Sequence, residues 1–251
     1  VHTYLSILAK LLAYEVLTGD DHIDQEELEG ILQGSIFAKY NVENFVDQDF
    51  YDWVGREEHF QHLQPVFRQM TSQIGQYDFS LVDEDILKGV YQELIDIDTR
   101  HQLGEYYTPD WLCERVVDEL DIGRNSSVLD PACGSGSFLR AVIEKFKDEY
   151  PDLSARDILE RVVGVDIHPL SVQIAKTTVL LTLSEKIRSL RRPVSLKVHL
   201  SNTLHAPEGS VDMFGEELRM MIDGDPYRIT VKVFEDPTTF DAAIRTCDKL
   251  A

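Results

Sequence analysis

The chain has 251 residues, 43% of them hydrophobic, enough for one large domain or two ordinary ones with a real core. No apolar run approaches bilayer-spanning length, "TTVLLTL" (Thr177 to Leu183) being among the richest, and no basic-plus-apolar leader opens the sequence. With 24 Lys and Arg against 45 Asp and Glu, the formal net charge is −21, so this chain alone is expected to bind DNA poorly, since nucleic-acid binders usually carry a basic face that neutralises phosphates.

Two readings of that acidity stand, adaptation to high salt, where screening blunts self-repulsion, and an ordinary acidic protein. Cys113, Cys133 and Cys247 are too few and too scattered for a disulfide framework, and no pair has metal-ligand spacing. Reduced thiols in a cytoplasmic protein, without membrane association, are the expectation. The start at Val1 rather than Met points to a processed or excised piece of something longer.

Residues 1–98 read as a helical amino-terminal domain. Val1, Tyr4, Leu5, Leu8, Leu11, Leu12 and Val16 follow the i, i+3/i+4 rhythm of a buried helix face. "TGDDHIDQEELEGIL" offers Asp caps and an acidic first turn before Leu28, Ile31 and Leu32. It is not a calcium loop, because with Glu27 as closing ligand Val16 and Thr18 would fill the first two ligand positions. His59 and His62 in "HFQH" have no clustered ligands beside them and read as surface histidines, so no metal site is expected. In "LVDEDILKGVYQELI", Ile86, Leu87, Val90, Tyr91 and Leu94 share one stripe, with Asp83 and Glu84 at its start.

After Thr99 the pattern alternates between strand and helix. Ser126–Asp130 reads as a strand and Ser135–Asp148 as a helix burying Phe138, Leu139, Val142, Ile143 and Phe146. Arg161–Asp166 reads as a second strand, and Pro169 opens a helix with Leu170, Ile174, Leu180 and Leu183 on its apolar face. "PVSLKVHL" (Pro193–Leu200) alternates as a third strand. This order predicts an α/β fold with a parallel sheet, whose ligands lie beyond the carboxyl ends of the strands. Gly134, Asp166 and Asn202 fall there. Beyond Ser201, "MFGEELRMMI" reads as helical, "YRITVKVF" as a strand and "TTFDAAIRTCDKL" as helical.

In "DPACGSGSFL", Asp130-Pro131 ends a strand, Gly134 and Gly136 permit a tight turn, and the following helix offers free amide groups. Leu139 replaces the third glycine of a dinucleotide fingerprint, and no Gly-Lys-Ser/Thr makes it a phosphate-binding P-loop. The loop resembles the S-adenosylmethionine loop of DNA adenine-N6 methyltransferases, Asp-Pro-Ala-x-Gly-x-Gly-x-Phe. Upstream, "LGEYYTP" (Leu103 to Pro109) resembles the amino-proximal motif of the restriction-modification methylases in that family. Downstream, "VVGVDIHPLSVQIA" (Val162 to Ala175) resembles its second-strand motif.

The resemblance covers roughly residues 83 to 205. It implies an incomplete Rossmann-like methyltransferase sheet in residues 99–251, the cofactor-binding half, with 201–251 the least defined part. It implies that Thr108 meets the cofactor's carboxylate, with Tyr106 and Tyr107 shaping that edge. Asp130, Pro131, Ala132, Cys133, Gly134 and Gly136 would hold the amino-acid part. Asp166 would accept from the ribose hydroxyls and Ile167 would pack on adenine. Asn202 stands where the family usually has an adenine-binding Asp, and its amide oxygen can still accept. Read as residues alone, Tyr106 and Ile167 are equally packed core, Cys133 a loop filler and His168 a solvent-facing helix start. A carboxylate ending a buried strand, as Asp166 does, needs a partner.

The family's catalytic Asn/Asp-Pro-Pro-aromatic motif, which cradles the adenine amine and stacks on the flipped base, has no counterpart here. None of the nine prolines are adjacent, and "GDPYRI" (Gly224 to Ile229) is one proline short and reads as a turn. The expectation is therefore the amino-terminal portion of an adenine-specific DNA methyltransferase from a restriction-modification or phage-defence system. It would bind cofactor without transferring a methyl group, and meet double-stranded DNA and restriction or specificity subunits through other domains. A non-catalytic scaffold with a degenerate methylase fold and an RNA or protein methyltransferase are the alternatives.

Overall fold

The computed structural model describes residues 1–19, 23–46, 52–76, 86–94, 107–204, 209–211, 217–222 and 225–230. They fall into two compact units, Val1–Ser201 and Asn202–Ala251, taken separately below.

Among the described residues the first unit opens with four α-helices, α1 (His2–Thr18), α2 (Gln25–Gln33), α3 (Glu57–Ile74) and α4 (Ile86–Leu94). Leu5, Leu11, Leu12 and Val16 of α1 are buried as the sequence rhythm predicts. Val1 and Tyr4 are exposed instead. The rest of α1 is buried on more than one side, Ala9, Lys10, Ala13 and Tyr14 included. Gly19 ends it in the left-handed conformation, its N–H donating to the Glu15 carbonyl at 2.7 Å. Before α2, the Asp24 carboxylate accepts from the Glu27 N–H while the Glu27 carboxylate accepts from the Asp24 N–H, a reciprocal cap. The acidic run that mimics a calcium loop thus closes a helix end, and Glu27 also accepts from the Tyr14 hydroxyl at 2.9 Å. Of the α4 stripe, Leu87 is buried and Val90 partly so; Asp83 and Glu84 lie outside the described residues.

A fifth helix, α5 (Asp110–Glu119), escaped the sequence reading. Its signals are short: Asp110 in the first turn and two apolar residues four apart, Cys113 and Val117, both buried. Then follow β1 (Val128–Asp130), α6 (Ser137–Glu149), α7 (Ala155–Leu159), β2 (Val162–Asp166), α8 (Pro169–Thr182), α9 (Ser184–Ile187) and β3 (Val198–Leu200). The strands form a parallel sheet in the order β1-β2-β3, with Val128 opposite Val162 and Gly164 opposite Val198. The expected incomplete Rossmann-like arrangement is what the chain adopts.

Both crossover helices lie on one face of the sheet. The approach of α6 explains Gly164 in the middle of β2: a Cβ there would sit 2.7 Å from Leu139 Cδ1 and 3.1 Å from Cys133 Sγ. Residues alternate across the strands, so Leu129 points the other way and is 60% exposed, while Val162 and Val198 are buried. Helix α8 is buried on nearly every side, from Leu170 to Thr182. One side meets the sheet and α6; the other carries α1, where Ser6 Oγ donates to Gln173 Oε1 at 2.7 Å and Thr177 Oγ1 to the Ala9 carbonyl at 3.3 Å. Buried amines finish the seam, Lys10 on the Leu32 carbonyl and Lys176 on the Asn44 carbonyl, each at 2.5 Å.

The third strand is shorter than Pro193–Leu200. Its first half pairs elsewhere: Val194 bridges Val42 in parallel, its N–H donating to the Asn41 carbonyl at 2.9 Å. Asn44 completes the join, donating to the Leu196 carbonyl at 2.9 Å and accepting from the Leu196 N–H at 2.6 Å. The backbone groups that β2 does not reach are thus satisfied by the amino-terminal layer.

The second unit contains β4 (Gly209–Val211), β5 (Glu217–Ile222) and β6 (Asp225–Thr230), antiparallel in that order. Two expectations are corrected here. The described part of "MFGEELRMMI" is strand β5, not helix, because pairing on both edges outweighs the helix preference of Glu, Leu and Met. Asp225, Pro226 and Tyr227 lie in β6 rather than a turn, with Pro226 opposite Met221 on an outer strand, where its missing N–H is tolerated. The segment "TTFDAAIRTCDKL" and Cys247 lie outside the described residues. Among the described residues no helix is long and apolar enough to cross a membrane.

Candidate cofactor site

The carboxyl ends of β1 and β2 bring the glycine loop and the Asp166 carboxylate together. Asp130 closes β1, and its Oδ1 accepts from the Ala132 N–H at 3.1 Å, turning the chain sharply at Pro131. The Cys133 N–H donates to the Val165 carbonyl at 2.9 Å, fastening the loop to β2. Gly134 and Gly136 both take positive φ, 54° and 90°. A Cβ on Gly136 would press to 3.2 Å from Ala175 Cα in α8, whereas one on Gly134 would meet nothing within 4 Å. Gly136 is therefore required by packing, and Gly134 borders open space. At Gly136 the helix α6 begins without a side-chain cap, so the positive end of its dipole lies directly after the loop.

Asp166 holds the loop and the start of α8. Its Oδ2 accepts from the Gly134 N–H at 2.9 Å and its Oδ1 from the His168 N–H at 2.8 Å. Each oxygen retains acceptor capacity, since a carboxylate offers about four lone-pair sites. Burial pushes the Asp130 carboxyl above its ordinary value; the Ala132 N–H opposes the rise and the nearby Asp166 charge adds to it. The two carboxylates make an acidic corner, suited to a ligand with hydroxyl donors and a cationic end. Cys133 is buried with its thiol pushed up, by burial first and then by the two carboxylates, which rules it out as a thiolate nucleophile.

Ile167 is 65% exposed beside Asp166, an apolar surface open to a planar ring. Pro131 and Ala132 are exposed. Tyr107 is partly buried against the core, and the Thr108 carbonyl accepts from Lys88 Nζ at 3.3 Å. Tyr106 lies outside the described residues. Asn202 belongs to the second unit, where its Oδ1 accepts from the Leu204 N–H at 3.1 Å. His168 is not the solvent-facing residue expected: it is half-buried, its ring edge-on to His2 at 5.6 Å between centroids. The sequence reading also missed Lys88, Asp110 and Ser137, a buried ionic cluster behind the loop. Its only signal was a lysine beside the apolar stripe of α4. Among the described residues there is no cluster of His, Cys, Asp and Glu able to hold a metal ion.

Fold and corner together define an α/β protein with a candidate ligand site at the carboxyl ends of its parallel strands. Residues 82–234, more than half of the chain, match the family described as N-6 DNA Methylase, and the chain belongs to that family. It is similar to the type I restriction enzyme EcoEI methylase subunit of Escherichia coli, 27% identical over 166 residues, which are 64% of this chain and 32% of that protein. It is also similar to the type I restriction enzyme MjaVII methylase subunit of Methanocaldococcus jannaschii, 34% identical over 87 residues, 34% of this chain and 15% of that one. Among solved structures, a nuclease-deletion mutant of the Type ISP restriction-modification enzyme LlaGI, in complex with a DNA substrate mimic, shares 16% identity at a TM-score of 0.41, over 80% of this chain and 19% of that one. The matched stretch spans a third or less of each of these proteins.

Proposed function

We propose that this chain is the S-adenosylmethionine-binding part of a DNA methyltransferase that modifies adenine N6 in a restriction-modification system. The observation that carries the reading is the Asp166 carboxylate, fixed by the Gly134 and His168 amides beside open space at Gly134. The residues fit the cofactor's chemistry. Asp166 is set to accept from ribose hydroxyls, Ile167 to cover one face of adenine, and Asp130 with residues 132–136 to hold the amino-acid end. The motif resemblance assigns Thr108, with Tyr106 and Tyr107, to the cofactor's carboxylate and Asn202 to the adenine amino group. When bound, the cofactor supplies an activated methyl group.

The absence of an Asn/Asp-Pro-Pro-aromatic sequence supports a second part of the proposal, that these residues bind cofactor without transferring the methyl on their own. Target adenine, double-stranded DNA and restriction or specificity subunits would engage the whole protein, in the cytoplasm. The net charge of −21 suits contact with basic partner domains, an association that rising salt weakens. We keep the functional division of residues 1–98 from the cofactor-binding 99–251 as part of this reading. Calorimetric titration with S-adenosylmethionine and S-adenosylhomocysteine tests it: both give saturable heat and a raised melting temperature. No heat and no thermal shift with either ligand overturns the cofactor assignment.

A further inference from the structure

Behind the glycine loop, Lys88 is 7% exposed, and a buried ammonium group is costly unless its three N–H donors are satisfied. It reaches from α4 to the Thr108 carbonyl at 3.3 Å, to Ser137 Oγ at 3.3 Å and to the Asp110 carboxylate. Thr108 and Asp110 flank Pro109 at the entry to α5; Ser137 is the first residue of α6 and lies 3.3 Å, oxygen to oxygen, from Ser135. One side chain therefore bonds both segments that flank the proposed site for the amino-acid end of the ligand. Asp110 is shared with a second cation, Arg140, at 3.9 Å, and Arg140 donates to Glu114 at 2.8 Å. The cluster ties α4, α5 and α6 at one point.

We infer that Lys88 is a positioning residue that sets the spacing between the Thr108 edge and the glycine loop, and thereby the affinity for the carboxylate-bearing end of the cofactor. The inference rests on the cofactor reading above. Lys88 acts through its hold on the Thr108 carbonyl, which orients that residue, and through Ser137, which anchors the first turn of α6. A neutral, unbranched side chain such as methionine, one atom shorter, leaves Asp110 to Arg140 and frees the Thr108 segment. A purely structural strut would weaken every ligand of the site alike. A positioning residue weakens only ligands that use the Thr108 edge.

The test compares S-adenosylhomocysteine with methylthioadenosine, which shares the nucleoside but lacks the amino-acid end, by calorimetry on the full chain. Lys88→Met weakens the homocysteine ligand by about tenfold or more, the scale of a lost hydrogen bond to a charged group, and leaves methylthioadenosine within about twofold. Asp110→Asn, which keeps the shape of the cluster, shifts the ratio in the same direction by a smaller factor, and decides the matter if Lys88→Met fails to fold by circular dichroism. Equal losses for both ligands, or no loss for either, overturn the inference while the cofactor reading stands. Wild-type protein that binds neither ligand overturns both.

Discussion

The glycine loop and the seam between α1 and α8 both bury polar groups, but only one of them is closed. In the seam, Ser6, Gln173 and Thr177 bond one another and backbone carbonyls, and the Lys10 and Lys176 amines end on carbonyls. At the loop, Asp166 and Asp130 accept backbone amides yet keep acceptor capacity, Gly134 borders open space, and Ile167 stays uncovered. Polar groups satisfied internally specify how layers fit; polar groups satisfied only in part, next to uncovered apolar surface, mark where a ligand fits.

That contrast is sharpest in substitutions that separate stability from binding. Leu5→Ala in the fully buried part of α1 is expected to cost about 3 kcal/mol in chemical denaturation, while S-adenosylhomocysteine affinity stays within about twofold. Asp166→Ala reverses the pattern: affinity drops about a hundredfold by calorimetry, with a smaller stability loss than Leu5→Ala. Cys133→Ala should change affinity far less; a larger effect there than at Asp166 would mean the loop geometry is wrong.

The two glycines offer a finer version. Gly136→Ala strains a positive φ and crowds α8, costing about 2 kcal/mol, whereas Gly134→Ala meets only the backbone strain, about 1 kcal/mol. Thermal melts rank them in that order, and ligand affinity ranks them in reverse, because only the Gly134 methyl enters the ligand's space.

The smallest effect concerns pH. Burial raises the Asp130 pKa, so in the free protein this carboxyl takes up its proton at a higher pH than in the unfolded chain. Its contribution to stability is fully present below the unfolded value and is lost as pH rises through the folded one. A cationic ligand end prefers the ionised form, so affinity falls on acidification, starting at a higher pH than an ordinary aspartate would give. Asp130→Asn removes that step, and a titration unchanged by the substitution assigns the pH dependence elsewhere.

What the sequence disclosed follows from the same physics. The loop, Asp166 and the parallel strand order were legible because backbone turns and strand ends demand particular residues at fixed spacing, as in Gly134, Gly136 and Pro169. Helix α5 was not, since half-buried helices this short carry only two core positions, Cys113 and Val117. The early end of β3 was hidden because Val194 alternates like a strand but pairs with Val42, and register with a distant segment leaves no local trace. Strand β5 misled for the opposite reason, its helix-forming residues being overruled by neighbours on both edges. Lys88 carried no pattern at all: its partners lie 20, 22 and 49 residues away, and only the fold assembles them.

Helix α8, sandwiched between the sheet and α1, has a practical consequence for dissecting the protein. The change from helical to alternating pattern near residue 98 invites a cut there, yet the cut would strip α1 from α8, expose two apolar faces and part the Lys176 amine from the Asn44 carbonyl. Expression boundaries for the cofactor site therefore belong outside Val1–Ser201, and hydrogen exchange should find the helical layer and the sheet opening as one.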